Sequence, residues 1–301
     1  MTFHSAKITL RQLRYFEALA DQKHFGRAAD VCAVSQPALS VQIKELEETL
    51  GLQLFERGAR HVSLTSFGED FQSRSKGILR AVDELGDLAR AAGSGLSGRF
   101  RLGIIPTVAP YLLPQIVSGV SEAYPNIELR IRETLTQNLI TELKDGRLDC
   151  AIVALPLSES GFAEHTLFEE EFVLVRPQGQ GDWPVPSRDR LREMQLLLLE
   201  EGHCFRDQAL SFCDMRPAEP RELLDGSALS TLVQMVASGI GLTLIPEMAV
   251  EVETRSTPVA ISRFPSGRPT RTLGMIWRKT TPLAPQLAEF SETIAGLVSP
   301  K

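Results

Sequence analysis

The stretch Val34-Ser35-Gln36-Pro37-Ala38-Leu39-Ser40-Val41-Gln42-Ile43-Lys44-Glu45-Leu46-Glu47-Glu48-Thr49-Leu50-Gly51 decides how the start of the chain folds. Ser35 is a favourable N-cap, Pro37 is tolerated in a first helical turn, and Gly51 suits a helix end, so a helix is predicted over about 36–50. Leu39, Ile43, Leu46 and Leu50 share one face of it, which leaves Gln36, Pro37, Ser40, Val41 and Lys44 outward. Upstream, Leu10, Leu13, Phe16, Leu19 and Ala20 recur at helical spacing, and Gly26-Arg27-Ala28-Ala29 opens a second short helix whose small residues permit close backbone approach. Downstream, residues 55–64 read as two short strands around a basic turn. Three helices and a β wing, with a polar face at the start of the third helix, form the arrangement that enters a DNA major groove.

From residue 65 to about 92 a long helical pattern carries Phe67, Phe71, Ile78, Leu79, Val82, Leu85 and Leu88, a seam suited to pairing with a second copy. Gly93-Ser94-Gly95-Leu96-Ser97-Gly98 is a linker by composition. Beyond it, strand 99–105, helix 111–123, strand 127–133, helix 139–145 and strand 148–155 make a βαβαβ series and hence a parallel sheet. A second series follows, with strands at 172–176, 196–200 and 242–245 and helices from about 203 and over 228–238, before a strand at 271–278 and a helix at 283–297. The expected architecture is a DNA-binding domain over 1–64, a dimerisation helix over 65–92, a flexible linker over 93–98, and a two-lobed α/β regulatory domain over 99–301 whose chain returns to the first lobe at its end.

The 301 residues are 43% hydrophobic and 23% charged, which excludes a disordered or collagenous chain. No apolar run approaches the ~18 residues that span a bilayer, and the N-terminus has no secretory apolar region, so a cytoplasmic protein without membrane contact is expected. The four cysteines, Cys32, Cys150, Cys204 and Cys213, are too scattered for a disulfide scaffold. No CxxC pair or HxxxH spacing points to a metal, and no cofactor motif is present. The net charge of −6 argues against wholesale coating of nucleic acid but leaves room for one small DNA-binding module.

Arg27-Ala28-Ala29, Val34-Ser35-Gln36-Pro37-Ala38-Leu39-Ser40, Ile43-Lys44-Glu45-Leu46-Glu47, Leu54-Phe55-Glu56-Arg57 and Leu64-Thr65-Ser66-Phe67-Gly68 together resemble the LysR-type transcriptional regulators. That resemblance implies an N-terminal winged helix-turn-helix with a long linker helix, a C-terminal two-lobed effector domain like that of periplasmic binding proteins, assembly as a dimer of dimers, and an operator DNA and RNA polymerase as partners. Ile104-Ile105-Pro106-Thr107-Val108-Ala109-Pro110-Tyr111, Leu148-Asp149-Cys150, and above all Gly202-His203-Cys204-Phe205-Arg206-Asp207-Gln208-Ala209-Leu210-Ser211-Phe212-Cys213, extend it to the hydrogen-peroxide-sensing members of that family. It implies a regulator of oxidative-stress genes, not an enzyme, in which Cys204 is oxidised by peroxide and resolved by Cys213. Thr107, Thr136, His203 and Asp207 would then surround the peroxide, with Arg271 near the thiolate.

The residues themselves fit this chemistry. Cys204 follows an apolar strand and opens a helix, where the macrodipole favours a thiolate, and His203 and Arg206 are near enough in sequence to add to it. If 204–213 is helical, nine steps of ~1.5 Å hold the two Cα atoms about 13 Å apart on opposite faces, whereas a disulfide needs roughly 4.4–6.8 Å. The pair closes only if the helix melts. Read alone, the two thiols are equally compatible with packing residues, Thr107 and Thr136 with plain N-caps, and Arg263, Arg268 and Arg278 compete with Arg271. A cleft for a small anionic metabolite, or a thiol peroxidase using Cys204 and His203, are the rival functions. For DNA, Gln36 and Ser40 are placed to read base edges, Pro37 and Val41 to meet thymine methyls, and Lys44, Arg57, Arg60 and His61 to meet phosphates, with the N-cap Ser35 also on the DNA-binding face.

Overall fold

The computed structural model describes residues 8–57, 62–93, 96–214, 225–265 and 267–298. Its contacts divide it into two compact units, Met1–Asp87 and Leu88–Lys301.

In the first unit each helix start is satisfied by a local side chain. Thr9 and Gln12 form a reciprocal capping box on α1 (Leu10–Gln22), His24 Nδ1 accepts from the Gly26 and Arg27 amides ahead of α2 (Phe25–Val31), and Ser35 Oγ accepts from Ala38 N on α3 (Gln36–Leu50). Gly51 ends α3 at a φ of +69°. The apolar faces meet in one core of Phe16, Leu19, Ala28, Leu39, Ile43, Leu46, Leu54 and Phe55. The wing is an antiparallel pair, β1 (Phe55–Arg57) and β2 (Val62–Leu64), anchored to α3 by Glu47, whose Oε1 accepts from the amides of Leu54 at 2.9 Å and Phe55 at 3.2 Å.

Helix α4 (Ser66–Ala91) starts against that wing. Thr65 Oγ1 accepts from Gly68 N at 2.9 Å and donates to the Gln53 carbonyl at 2.8 Å. Phe71 meets Phe16 edge-on at 5.0 Å, and Gln72 and Ser75 donate to Glu17 of α1. Further along, Ile78, Leu85 and Leu88 are 49%, 64% and 53% exposed, so this part of the apolar seam is left uncovered by the described residues.

The second unit follows the order β3 (Gly98–Ile104), α5 (Ala109–Ala123), β4 (Ile127–Glu133), α6 (Thr136–Lys144), β5 (Cys150–Leu155), β6 (Phe162–Pro177), α7 (Arg188–Glu193), β7 (Leu196–Leu199), α8 (Cys204–Phe212), β8 (Asp225–Gly226), α9 (Leu229–Ala237), β9 (Leu242–Pro246), α10 (Val250–Thr254), β10 (Val259–Ser262), β11 (Thr270–Arg278) and α11 (Ala284–Val298). The strands form one sheet, ordered β4-β3-β5-β11-β6-β9-β7-β8, with β10 also on β6. Strands β3, β4 and β5 are parallel, as the βαβαβ pattern requires.

Two cores lie along this sheet. The first gathers Leu102, Ile104, Ile152, Leu273 and, from the returning α11, Phe290; the second gathers Phe172, Val173, Leu197, Phe205, Leu210 and Leu244. Strand β6 joins them: its first part pairs with β11 and its second, from Phe172, with β9 and β10. The sequence pattern places a strand only at 172–176. The earlier residues carry Glu164, Glu169, Glu170 and Glu171 and are strand because β11 supplies their hydrogen bonds, a non-local cause that composition hides.

A Cβ on Gly68 would stand 2.2 Å from the Leu54 carbonyl oxygen, so no side chain fits where α4 crosses the wing. Gly68→Ala is expected to destabilise the first unit by about 1–3 kcal/mol through forced backbone displacement. Denaturant melts of residues 1–87 would measure it, and an unchanged midpoint would show that the contact is slack.

Candidate functional site

The second unit places Cys204 at the first turn of α8, just after Gly202, whose φ of +95° is a left-handed conformation that favours glycine. The thiol is partly exposed at a cleft of about 610 Å³ that is also lined by Thr136, Asp207, Gln208 and Arg271, a size suited to a small molecule. Asp207 and Gln208 are three and four residues beyond Cys204 and therefore share its helical face. Thr107, Thr136, His203 and Cys204 also converge on a second, smaller void at the base of α8. All five non-cysteine residues expected around the thiol thus line one or other of these spaces.

Two buried oxygens in the cleft, Thr136 Oγ1 and Gln208 Oε1, have no hydrogen-bond partner among the described residues. Such groups are costly to bury unless something bonds to them. A small molecule carrying O–H groups would do so. Gln208 is absent from the sequence-derived set, although its i+4 spacing from Cys204 was the signal that could have found it.

Arg271 is the arginine at this cleft. It is 3% exposed and donates through Nη1 to Thr107 Oγ1 at 2.9 Å, through Nη2 to the Thr107 carbonyl at 3.2 Å, and through Nε to Glu170 Oε1 at 2.6 Å. Its guanidinium carbon lies 5.5 Å from the centre of the Phe205 ring. The competing arginines are engaged elsewhere: Arg263 with Glu247, Arg268 with Glu171, and Arg278 with the Leu143 carbonyl. Burial raises the Glu170 carboxyl from its ordinary value, and the charge of Arg271 opposes that rise.

Two expected contributions to the thiolate are corrected by the geometry. Arg206 is buried and bonds the Leu199 carbonyl and Asp225, each at 2.7 Å, because two residues along a helix it points away from the Cys204 face. Burial pushes the His203 imidazole below its ordinary 6.5, against the pull of Glu200, so at neutral pH it is mainly the uncharged form. His203 offers hydrogen bonding to the site rather than charge.

Cys213 lies just past the other end of α8 and belongs to a different core. Cys204 packs at the margin of the first core, whereas Cys213 is fully buried in the second. Burial pushes the Cys213 thiol up to about 11, partly opposed by Arg188. Of the other thiols, Cys150 is buried in β5 and Cys32 is half-buried at the end of α2.

On α3, Ser35, Gln36, Pro37, Val41 and Lys44 are exposed and Ser40 is half-buried, so the polar face is open along its N-terminal half. Ser35 is also the helix cap, and Lys44 pairs with Glu48 at 3.5 Å. Arg57 ends β1, while Arg60 and His61 lie outside the described residues.

A helix-turn-helix with a wing, followed by an α/β unit with two cores and a cleft between its strand ends, is the architecture of a bacterial transcription regulator. Residues 10–69 match the bacterial regulatory helix-turn-helix protein of the lysR family and residues 93–298 match the LysR substrate binding domain, so the chain belongs to the LysR family. Its relatives include the probable hydrogen peroxide-inducible genes activator of Streptomyces viridosporus, 43% identical over 96% of this chain and 93% of that protein. The DNA-binding transcriptional dual regulator OxyR of Escherichia coli is 39% identical over 95% of each. Among solved structures, a full-length OxyR variant from Pseudomonas aeruginosa superposes with a TM-score of 0.74 at 35% identity, covering 95% of this chain and 94% of that one. A hydrogen-peroxide-bound OxyR mutant from Corynebacterium glutamicum gives 0.64 at 36% identity, covering 96% and 92%.

At pH 7 a thiol raised to about 11 is ionised in about one molecule in ten thousand, so iodoacetamide should label Cys204 in the native reduced protein and leave Cys213 unlabelled. Because the folded value lies above the ordinary 9.0, burial of this thiol stabilises the fold fully below pH 9, and that contribution is lost as pH rises through about 11. Cys213→Ala should flatten the alkaline fall in Tm over that window. Equal labelling of both thiols by peptide mass spectrometry would contradict the burial argument.

Proposed function

We propose that this chain is a DNA-binding transcription regulator that responds to hydrogen peroxide through Cys204 and Cys213. The observation that carries the reading is that one helix, α8, begins with a cleft-facing thiol and is followed by a second thiol buried in another core. In the first step the Cys204 thiolate attacks one peroxide oxygen and the O–O bond breaks. The other oxygen leaves as hydroxide, takes up a proton as water, and leaves a sulfenic acid on Cys204. In the second, the Cys213 thiolate attacks the Cys204 sulfur and expels the hydroxyl, again as water after protonation. The sum converts two thiols and one peroxide into one disulfide and two waters.

Thr107, Thr136, His203, Asp207, Gln208 and Arg271 are the groups proposed to hold the peroxide and stabilise its leaving oxygen. The protein is consumed once per event and reset by a reductant, which makes it a switch and not an enzyme. On the DNA side, Gln36 and Ser40 read base edges, Pro37 and Val41 meet methyl groups, and Ser35, Lys44, Arg57 and Arg60 meet phosphates. The exposed seam of Ile78, Leu85 and Leu88 supports pairing through α4, and a dimer of dimers on operator DNA, acting in the cytoplasm with RNA polymerase, completes the reading. Among the described residues no helix is long and apolar enough to cross a membrane.

Stoichiometric peroxide should cost the wild type two thiols per chain and yield a Cys204–Cys213 peptide, with increased hydrogen exchange across α8. Cys204→Ser should be inert, and Cys213→Ser should stop at a trappable sulfenic acid or pass to sulfinic acid. Equal reactivity of both thiols without the linked peptide would replace this reading with that of a regulator of small anionic ligands.

Gln36→Ala should relax preference at one operator position by roughly 1–3 kcal/mol, and affinity should fall with salt by about 0.9 in log K per phosphate contact and log unit of salt. Ile78→Asp should weaken self-association and operator binding together. Sedimentation and footprinting that register no change in either variant would remove both assignments.

A further inference from the structure

We propose that Glu170 determines the oxidant specificity of the thiol cleft: by holding Arg271 as an internal ion pair it makes the cleft selective for uncharged peroxides over anions. This rests on the reading of Cys204 as the peroxide-reactive thiol.

Glu170 of β6 stands directly across from Arg271 of β11 in the strand register, and the two form an ion pair in which the carboxylate is 7% and the arginine 3% exposed. Arg271, whose side chain is fully buried, is the one cationic residue among the described residues lining the cleft, and Asp207 and Glu159, the latter paired with Lys144, line it as well. The charge of Arg271 is matched by the Glu170 carboxylate and that of Glu159 by Lys144, which leaves Asp207 as the net charge of the lining. Nη1 and Nη2 also donate to the two oxygens of Thr107, and the Phe205 ring covers the group further. An anion entering the cleft would find a buried cation whose charge is already matched and most of whose hydrogen-bond donors are already committed. Hydrogen peroxide, being neutral, pays no such electrostatic penalty and can bond to the two unsatisfied oxygens, Thr136 Oγ1 and Gln208 Oε1.

The pair is poorly explained as a stabilising device. Burying two charges costs several kcal/mol in desolvation, and such pairs are often no better for stability than apolar side chains of equal volume. What the pair does provide is a fixed guanidinium with its charge cancelled. Without Glu170 the arginine would keep its bonds to Thr107 while gaining an uncompensated charge beside the thiol, which is the arrangement that attracts anionic ligands and oxidants.

The test uses the full-length reduced protein and two oxidants that both deliver one oxygen to the thiolate by breaking an O–O bond: hydrogen peroxide, which releases hydroxide, and peroxymonosulfate, an anion, which releases sulfate. Glu170→Gln removes the charge and keeps an acceptor for Arg271. It should raise the ratio of the peroxymonosulfate rate to the peroxide rate at Cys204 by roughly tenfold, and make phosphate a competitive inhibitor of peroxide oxidation. Glu170→Asp should restore the wild-type ratio. In the wild type, phosphate at constant ionic strength should leave the peroxide rate unchanged, a measurement that stands even if the glutamine variant does not fold. Phosphate competition in the wild type, or an unchanged rate ratio in a folded Glu170→Gln protein, would overturn the proposal. Absence of peroxide oxidation at wild-type Cys204 would instead remove the functional reading on which it rests.

Discussion

Helix α8 is held by its middle, and most of what the second unit can do depends on that. Phe205, Ala209 and Leu210 are buried in the second core, with the Phe205 ring 4.7 Å from that of Phe172. Burial of a large apolar side chain contributes about 1.5–3 kcal/mol, so Phe205 and Leu210 together set a holding energy of several kcal/mol. While they stay seated, Cys204 looks into the cleft and Cys213 remains in the apolar interior. Bringing the two sulfurs together requires unseating that part of the helix. The separation of the thiols is therefore a property of packing, and under the proposed reading the free energy of a disulfide between them would have to exceed the packing it disrupts.

The root of α8 is tied to the rest of the unit by polar and aromatic contacts. Arg271 touches Thr107 in the turn between β3 and α5, Glu170 on β6 and the ring of Phe205 on α8, three segments that lie far apart in sequence. Two residues beyond Glu170, β6 passes from the first core to the second. Under the proposed reading, a chemical change at Cys204 would fall beside the point where both cores share a strand and a buried cation. Because His203 is mainly uncharged and Arg206 serves Asp225, the fixed positive elements close to the thiol are the N-terminus of α8 and Arg271, and the latter is already matched by Glu170.

The first unit solves a different problem, which is to present a polar helix face rigidly with a small core. Capping residues at Thr9, His24, Ser35 and Thr65 satisfy helix amides locally. Glu47 reaches from α3 to the wing, and Gly68 lets α4 cross against the Leu54 carbonyl. The outward residues of α3 are left free of core duties. Its inward leucines and isoleucine carry the packing.

How much of this was legible in the chain differs between the two units. The third helix, its cap, its apolar face and its outward polar face follow from spacing at short range, because helix periodicity and capping act over a few residues. The βαβαβ series, and the separation of the thiols by nine residue steps along a helix, were readable for the same reason. The partners of the buried charges were not. Nothing in the neighbourhood of Glu170 announces that it faces Arg271 across a strand pair, that Gln208 Oε1 is left without a bond, or that Arg206 turns to Asp225. Likewise the chain marks only the second part of β6 as strand, since the first part is held by β11, about a hundred residues later. The sequence by itself determined which elements form and which residues bear chemistry. The tertiary structure alone decided which charges cancel, which thiol is buried and which core each one occupies, because burial and pairing are set by contacts between segments that are distant along the chain.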